Sequence, residues 1–235
     1  MSRSNHFELQ YLNPIIFYRA VEHALGSPDN ELIGLDWKLN LVNHLSFYGQ
    51  FLLDEFNIKE MTKRSGWWAN KWALQVGLKY IDIAPNCDGQ IEFNVARPFI
   101  YTHGGNGDGS NDDYTTYNQP LAHPLGANFY EFILNLHYQP LPRFTMNAKL
   151  MVAVVGDDTL MPTTINGTGG YEVTNYGSDI LRPANGDLSN VTQDYNNKIA
   201  QGARGIITNI QFLASYQAWH NIFIDAEITY RNKSS

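Results

Sequence analysis

Cysteine is almost absent from this chain: Cys87 is the only one in 235 residues, so no internal disulfide framework is available. Beside Asp88 and Gly89, Cys87 reads as a turn residue rather than a reactive thiol. Long apolar runs are missing too. The longest, residues 150–155, falls far short of the ~18 residues that a transmembrane helix requires. Charged residues are sparse at 17% and sum to a net −7 with no Lys/Arg run, which argues against a nucleic-acid partner. Residues 1–6 do not form a signal peptide and lead directly into strand-like sequence. The seven histidines are scattered without ligand spacing, and no serine-centred nucleophile motif appears. From these absences we expect a non-enzymatic protein without cofactor or resident metal.

What the chain has in quantity is alternation. Ile33, Leu35, Trp37, Leu39 and Leu41 share one parity, against Gly34, Asp36, Lys38 and Asn40. After a polar corner at Asn43-His44, Leu45, Phe47, Gly49, Phe51 and Leu53 resume the pattern against Ser46, Tyr48, Gln50 and Asp54. Successive strand side chains point to opposite faces, so each strand has an apolar and a polar side. The same rule recurs near residues 7–19, 68–80, 90–95, 132–138, 144–152, 206–216 and 222–230, about nine strands in all. Trp68 and Lys71 are read into the 68–80 strand, and residues 85–89 as the tight turn after it.

Many of these strands run to about 10–13 residues, where globular sheets average about 5–6. Short and long connections alternate, the long ones at about 103–126 and 156–203 and rich in Gly, Asn, Asp and Thr. Aromatics gather near strand ends: Trp67, Trp68, Tyr80, Phe99, Tyr101, Tyr138, Tyr216, Trp219 and Tyr230. A soluble β-sandwich would alternate equally well, but it explains neither the strand lengths nor the loop asymmetry. The pattern points to an all-β, antiparallel up-and-down transmembrane β-barrel of the outer-membrane type, forming one domain over 1–235. Such a barrel normally has an even strand number with both ends periplasmic, whereas nine strands that begin in the periplasm would end on the outer side. We therefore expect a partial barrel, a fragment of a larger one that lacks its signal peptide and closing strand.

In that arrangement the polar parity faces a lumen, and Asp36, Lys38, Lys71, Lys79, Glu92, Glu131, Lys149, Asp225 and Glu227 are its charged residues. Both signs are mixed, which suits a hydrogen-bonded interior better than an ion-selective pore. Sugar-binding surfaces combine flat aromatic faces with planar polar groups. The long loops supply both: Tyr114, Tyr117, Asn118, Gln119 and His123 in one, Tyr171, Tyr176, Asn185 and Tyr195 in the other. Ordinary solvated loops have much the same composition. Asn106, Asp108, Ser110 and Asp112 alternate as in a calcium loop, yet Asn111 and Tyr117 stand where an EF-hand needs Gly and Glu. Asp54-Glu55 could suggest paired glycosidase carboxylates, but adjacent strand residues face opposite ways; a place at a strand rim is the expectation.

Several stretches together resemble the Wzi-type capsule-assembly proteins and their gliding-motility (RemB-like) members from Bacteroidetes. They are FELQYLNPIIFYR (7–19), LLDEF (52–56), GWWANK (66–71), GLKYID (77–82), YNQPLAHPLGANFYEF (117–132) and YQPLPR (138–143). The resemblance implies a large outer-membrane barrel that holds capsular or surface polysaccharide at the cell exterior without catalysis. Outer-membrane lipid, surface polysaccharide and, in gliding relatives, other motility proteins are the partners it implies. A passive channel or transporter and a scaffold for motility adhesins are the alternatives.

Overall fold

The computed structural model describes residues 32–102, 113–165, 168–182 and 193–234, with side chains of 161–172 left aside. The expected first strand, at 7–19, lies outside the described residues. Alternation from Ile33 onward becomes strand as read. In chain order the elements are β1 (Ile33–Val42), β2 (Leu45–Leu53), α1 (Ile58–Thr62), β3 (Trp72–Ala84) and β4 (Cys87–Ala96). Two short strands follow, β5 (Thr115–Thr116) and β6 (Gln119–Pro120). The chain continues with β7 (Phe129–Leu141), β8 (Phe144–Asp157), β9 (Thr159–Ile165), β10 (Thr168–Thr174), β11 (Ala203–Trp219) and β12 (Ile222–Ser234).

Eight of these strands form one antiparallel sheet in the order β1-β2-β3-β4-β7-β8-β11-β12, each sequential neighbour paired with the next. β1 and β12 are its two edges, and the sheet does not close on itself among the described residues. Turns of two residues join β1 to β2, β3 to β4, β7 to β8 and β11 to β12, all at one end of the sheet. Three of them place an Asn or His in the left-handed region, at His44 (φ 73°), Asn86 (φ 60°) and Asn221 (φ 60°). Those side chains tolerate that conformation better than most. The long connections 54–71, 97–128 and 158–202 all emerge at the opposite end.

Register carries the two-faced pattern across the whole sheet. Leu35, Phe51, Leu74, Val95, Tyr130, Val154 and Ile206 stand opposite one another from β1 through β11. One residue along each strand, Asp36, Gln50, Gln75, Asn94 and Glu131 form the corresponding row on the other face. A slip of one residue would exchange the faces, so the apolar pattern fixes the register. The apolar face is uncovered: Phe93, Phe132, Ile210, Phe212 and Ile228 are all exposed.

Large side chains lie over three glycines of the sheet, and in two of these cases the pair is directly opposed. Trp37 crosses Gly49 and Tyr48 crosses Gly77, where an added Cβ would lie 2.2 Å from the ring in each case. Ile83 covers Gly89 in the same way. The glycines leave room for these side chains to lie flat across the next strand.

The buried core is not under the sheet as a whole but at its long-loop end. Ala96, Phe129, Ala153 and Val155, from the strand ends, pack with Ile100, Tyr101, Ala127 and Ile180 from the connections. Phe99 and Tyr101 have φ of 66° and 75°, rare for bulky residues, and both are buried. Burial also holds the Tyr101 phenol protonated, well above its ordinary titration range.

Several local expectations are corrected. Trp68 and Lys71 precede β3 and belong to the long-loop end, because Lys71 is drawn into buried polar contacts. Cys87 begins β4 rather than sitting in the turn, which is only Pro85-Asn86. Phe99 and Tyr101 are core residues, not a rim of exposed aromatics. The region 103–126 contains the β5–β6 hairpin, and 156–203 contains the β9–β10 hairpin, neither read from sequence.

Candidate functional site: the polar face and the long-loop end

The polar face gathers its side chains into a connected network. The Tyr48 hydroxyl donates to Glu92 Oε2 at 2.6 Å and accepts from Gln90 Nε2 at 2.6 Å. Gln75 Nε2 donates to Glu92 Oε1 at 3.0 Å. Asn94 Nδ2 bridges the two carboxylates, at 3.0 Å from Glu92 Oε1 and 2.8 Å from Glu131 Oε2. His123 completes the chain. Its Nδ1 accepts from the Leu125 N–H at 3.2 Å, so Nε2 carries the hydrogen and donates to Glu131 Oε2 at 3.0 Å. The His123 ring also lies 4.4 Å from that of Phe129, which seats the 121–124 segment on the sheet.

A second polar cluster locks the long-loop end. Lys71, 1% exposed, donates from Nζ to the Thr102 carbonyl at 2.7 Å. Its Nζ is 3.4 Å from Glu55 Oε2 and 3.9 Å from Asp54 Oδ2, and it stands 5.6 Å above the Trp68 ring. The expectation for Asp54-Glu55 is therefore revised. Both lie past the end of β2, where strand alternation no longer holds, and both reach the same ammonium. Asn128 is the second lock, fully buried at φ 62°. Its Nδ2 donates to the Gly156 and Gln201 carbonyls at 3.0 and 2.9 Å, while its Oδ1 accepts from the Gln201 N–H at 3.1 Å. Two connections and the end of β8 are thereby tied at one residue.

Of the charged residues expected on the polar side, Asp36, Lys38, Lys79, Glu92, Glu131, Lys149, Asp225 and Glu227 share the polar face by register. Lys71 does not; it is the buried ammonium just described. The loop candidates separate into two groups. Tyr114, His123 and Tyr176 are structural. Tyr114 packs 6.0 Å from Tyr101 beside the core, and the Tyr176 N–H donates to Asp158 Oδ1 at 2.8 Å with its ring against Gly202. Tyr117, Asn118 and Gln119 are exposed on the β5–β6 hairpin, with Tyr117 96% exposed and both turn residues at positive φ. Tyr195 is also exposed. The Tyr171 side chain, Asn185 and the alternating residues Asn106, Asp108, Ser110 and Asp112 lie outside the described residues. Among the described residues, no three His, Cys, Asp or Glu side chains come together as a metal site.

Sequence reading missed Tyr48, Gln75, Gln90 and Asn94 as members of a network. The signal was present: each sits at polar parity in its strand, and register alone aligns them. No family model, curated protein or solved structure matches this chain.

Proposed function

We propose that this sheet is part of the wall of an outer-membrane β-barrel whose polar inner face and outer loops hold surface polysaccharide, without catalysis. One observation carries the membrane part: a mostly apolar face lies bare on one side of the sheet, while the other side carries a hydrogen-bonded polar network. On β8 the apolar parity runs from Phe144 to Val154. Ten residue steps of about 3.4 Å each, tilted by about 40°, project to roughly 26 Å, near the ~25 Å apolar band of such barrels. Tyr138, Tyr216 and Trp219 stand exposed at the short-turn end, where an interfacial aromatic girdle would lie. Two-residue turns at one end and long connections at the other fit the same architecture.

The polysaccharide part draws on the resemblance to Wzi-type and gliding-motility proteins, and on the exposed Tyr117-Asn118-Gln119 tip. Loops folded onto the polar face favour holding a ligand over passive conduction. Brominated phospholipid quenching of Trp37 and Trp219 tests the membrane reading. Strong quenching is expected after reconstitution, and none if the apolar face is buried against protein. Retention of polysaccharide by cells carrying Tyr117→Ala tests the second part; retention equal to the parent would count against loop binding.

A further inference from the structure

Toward the short-turn end, the polar face opens into a cleft of about 390 Å³ that borders the network above at Gln90. Its floor is one cross-strand row: Lys79, Gln90, Asn135, Lys149 and Gln211 stand directly opposite one another on five adjacent strands. Below that row His137 Nδ1 donates to Asn147 Oδ1 at 2.7 Å, fixing both side chains of the cleft wall in place.

The charges here are unequally satisfied. Glu92 accepts from Tyr48, Gln75 and Asn94, Glu227 accepts from Gln211 and Thr229, and Asp88 accepts from the Asp82 N–H. Lys79 and Lys149 make no hydrogen bond or ion pair among the described residues, and both are exposed to the cleft. Three strand spacings of about 4.8 Å separate them, roughly 14 Å, with the amides of Gln90 and Asn135 between. An ammonium at each end and amides in the middle suit a chain with two anionic groups and hydroxyls between them.

We propose that this cleft binds an acidic glycan segment lying across the strands, its two anionic groups held by Lys79 and Lys149 and its hydroxyls by Asn135 and Gln90. The proposal rests on the polysaccharide reading above but places recognition on the sheet rather than in the loops.

The test is calorimetric titration of the full chain in detergent micelles with an oligogalacturonate, a neutral malto-oligosaccharide and inorganic phosphate. Tight binding of the oligogalacturonate alone, weakened at least tenfold by K79Q/K149Q and unchanged by Lys38→Gln on the same face, is the expected result. Circular dichroism of each variant establishes that the sheet is intact. Equal affinity for acidic and neutral sugars, or full affinity in K79Q/K149Q, would overturn the proposal. Binding of phosphate as tight as that of the oligogalacturonate would overturn it in favour of a simple anion site. If Tyr117→Ala abolishes binding and K79Q/K149Q does not, the cleft is wrong and the loop reading stands. If no sugar binds at all, both fail.

Discussion

Tyr48 shows how much one side chain can depend on the absence of another. It lies across Gly77 to reach Glu92, and Glu92 in turn holds Gln75 and Asn94. A Cβ at Gly77 would stand 2.2 Å from the ring, so Gly77→Val must push Tyr48 off the sheet. We expect a loss of about 1–3 kcal/mol, the usual cost of overpacking, read from urea unfolding in micelles. In the Tyr48→Ala background the same substitution should cost markedly less, because the clash is gone; equal costs would show that the two residues are not coupled. Strand parity made Tyr48 recognisable as a polar-face residue. That a glycine is opposite it depends on the register between two strands, which spacing within either one does not give.

At the scale of elements, the long connections behave as built parts rather than solvated tethers. Lys71 joins the end of β2, the start of β3 and the 97–102 segment through Glu55, Asp54 and the Thr102 carbonyl. Removing the ammonium in Lys71→Ala takes away the cation that both carboxylates reach, a loss of about 3–5 kcal/mol for breaking a buried pair. Limited proteolysis should then cut within 54–71 or 97–102 before the strands; an unchanged pattern would argue against the lock.

Helix α1, in the same region, is tuned by an exposed pair. Asn57 caps it by accepting from the Lys59 N–H at 3.0 Å. Lys63, and after it Ser65, hold the Glu60 carboxyl below its ordinary value of 4.5. A carboxyl lowered on folding contributes fully above its unfolded value, and the contribution is lost as pH falls through the folded one. Amide protection across 58–65 should therefore decline below pH 4.5 in the parent and not in Glu60→Gln. The same decline in both would assign it to another group.

For the whole molecule the question is which solvent the bare face meets. Ile228 on β12 is 72% exposed, so in water an arginine there would change stability little. Facing lipid near the middle of the band, Ile228→Arg should cost about 2–4 kcal/mol of folding stability in vesicles. Thr229→Arg, one residue along and on the opposite face, should be tolerated. Equal effects at the two positions would remove the membrane reading.

By itself the sequence determined the two-faced strands from Ile33 to Tyr230, their antiparallel order and the alternation of short and long connections. Period-2 patterning is a local property, and short turns leave consecutive strands no other neighbour. It did not determine the interior of the long connections. Phe99, Tyr101, Lys71 and Asn128 have no periodicity around them, and their burial depends on partners such as Gly177, Thr102, Glu55 and Gln201. Only the tertiary structure could decide that His123 is a strut under Glu131 while Tyr117 stands in solvent. The two residues come from the same polar, turn-rich stretch, and what separates them is contact with strands that lie elsewhere in the chain.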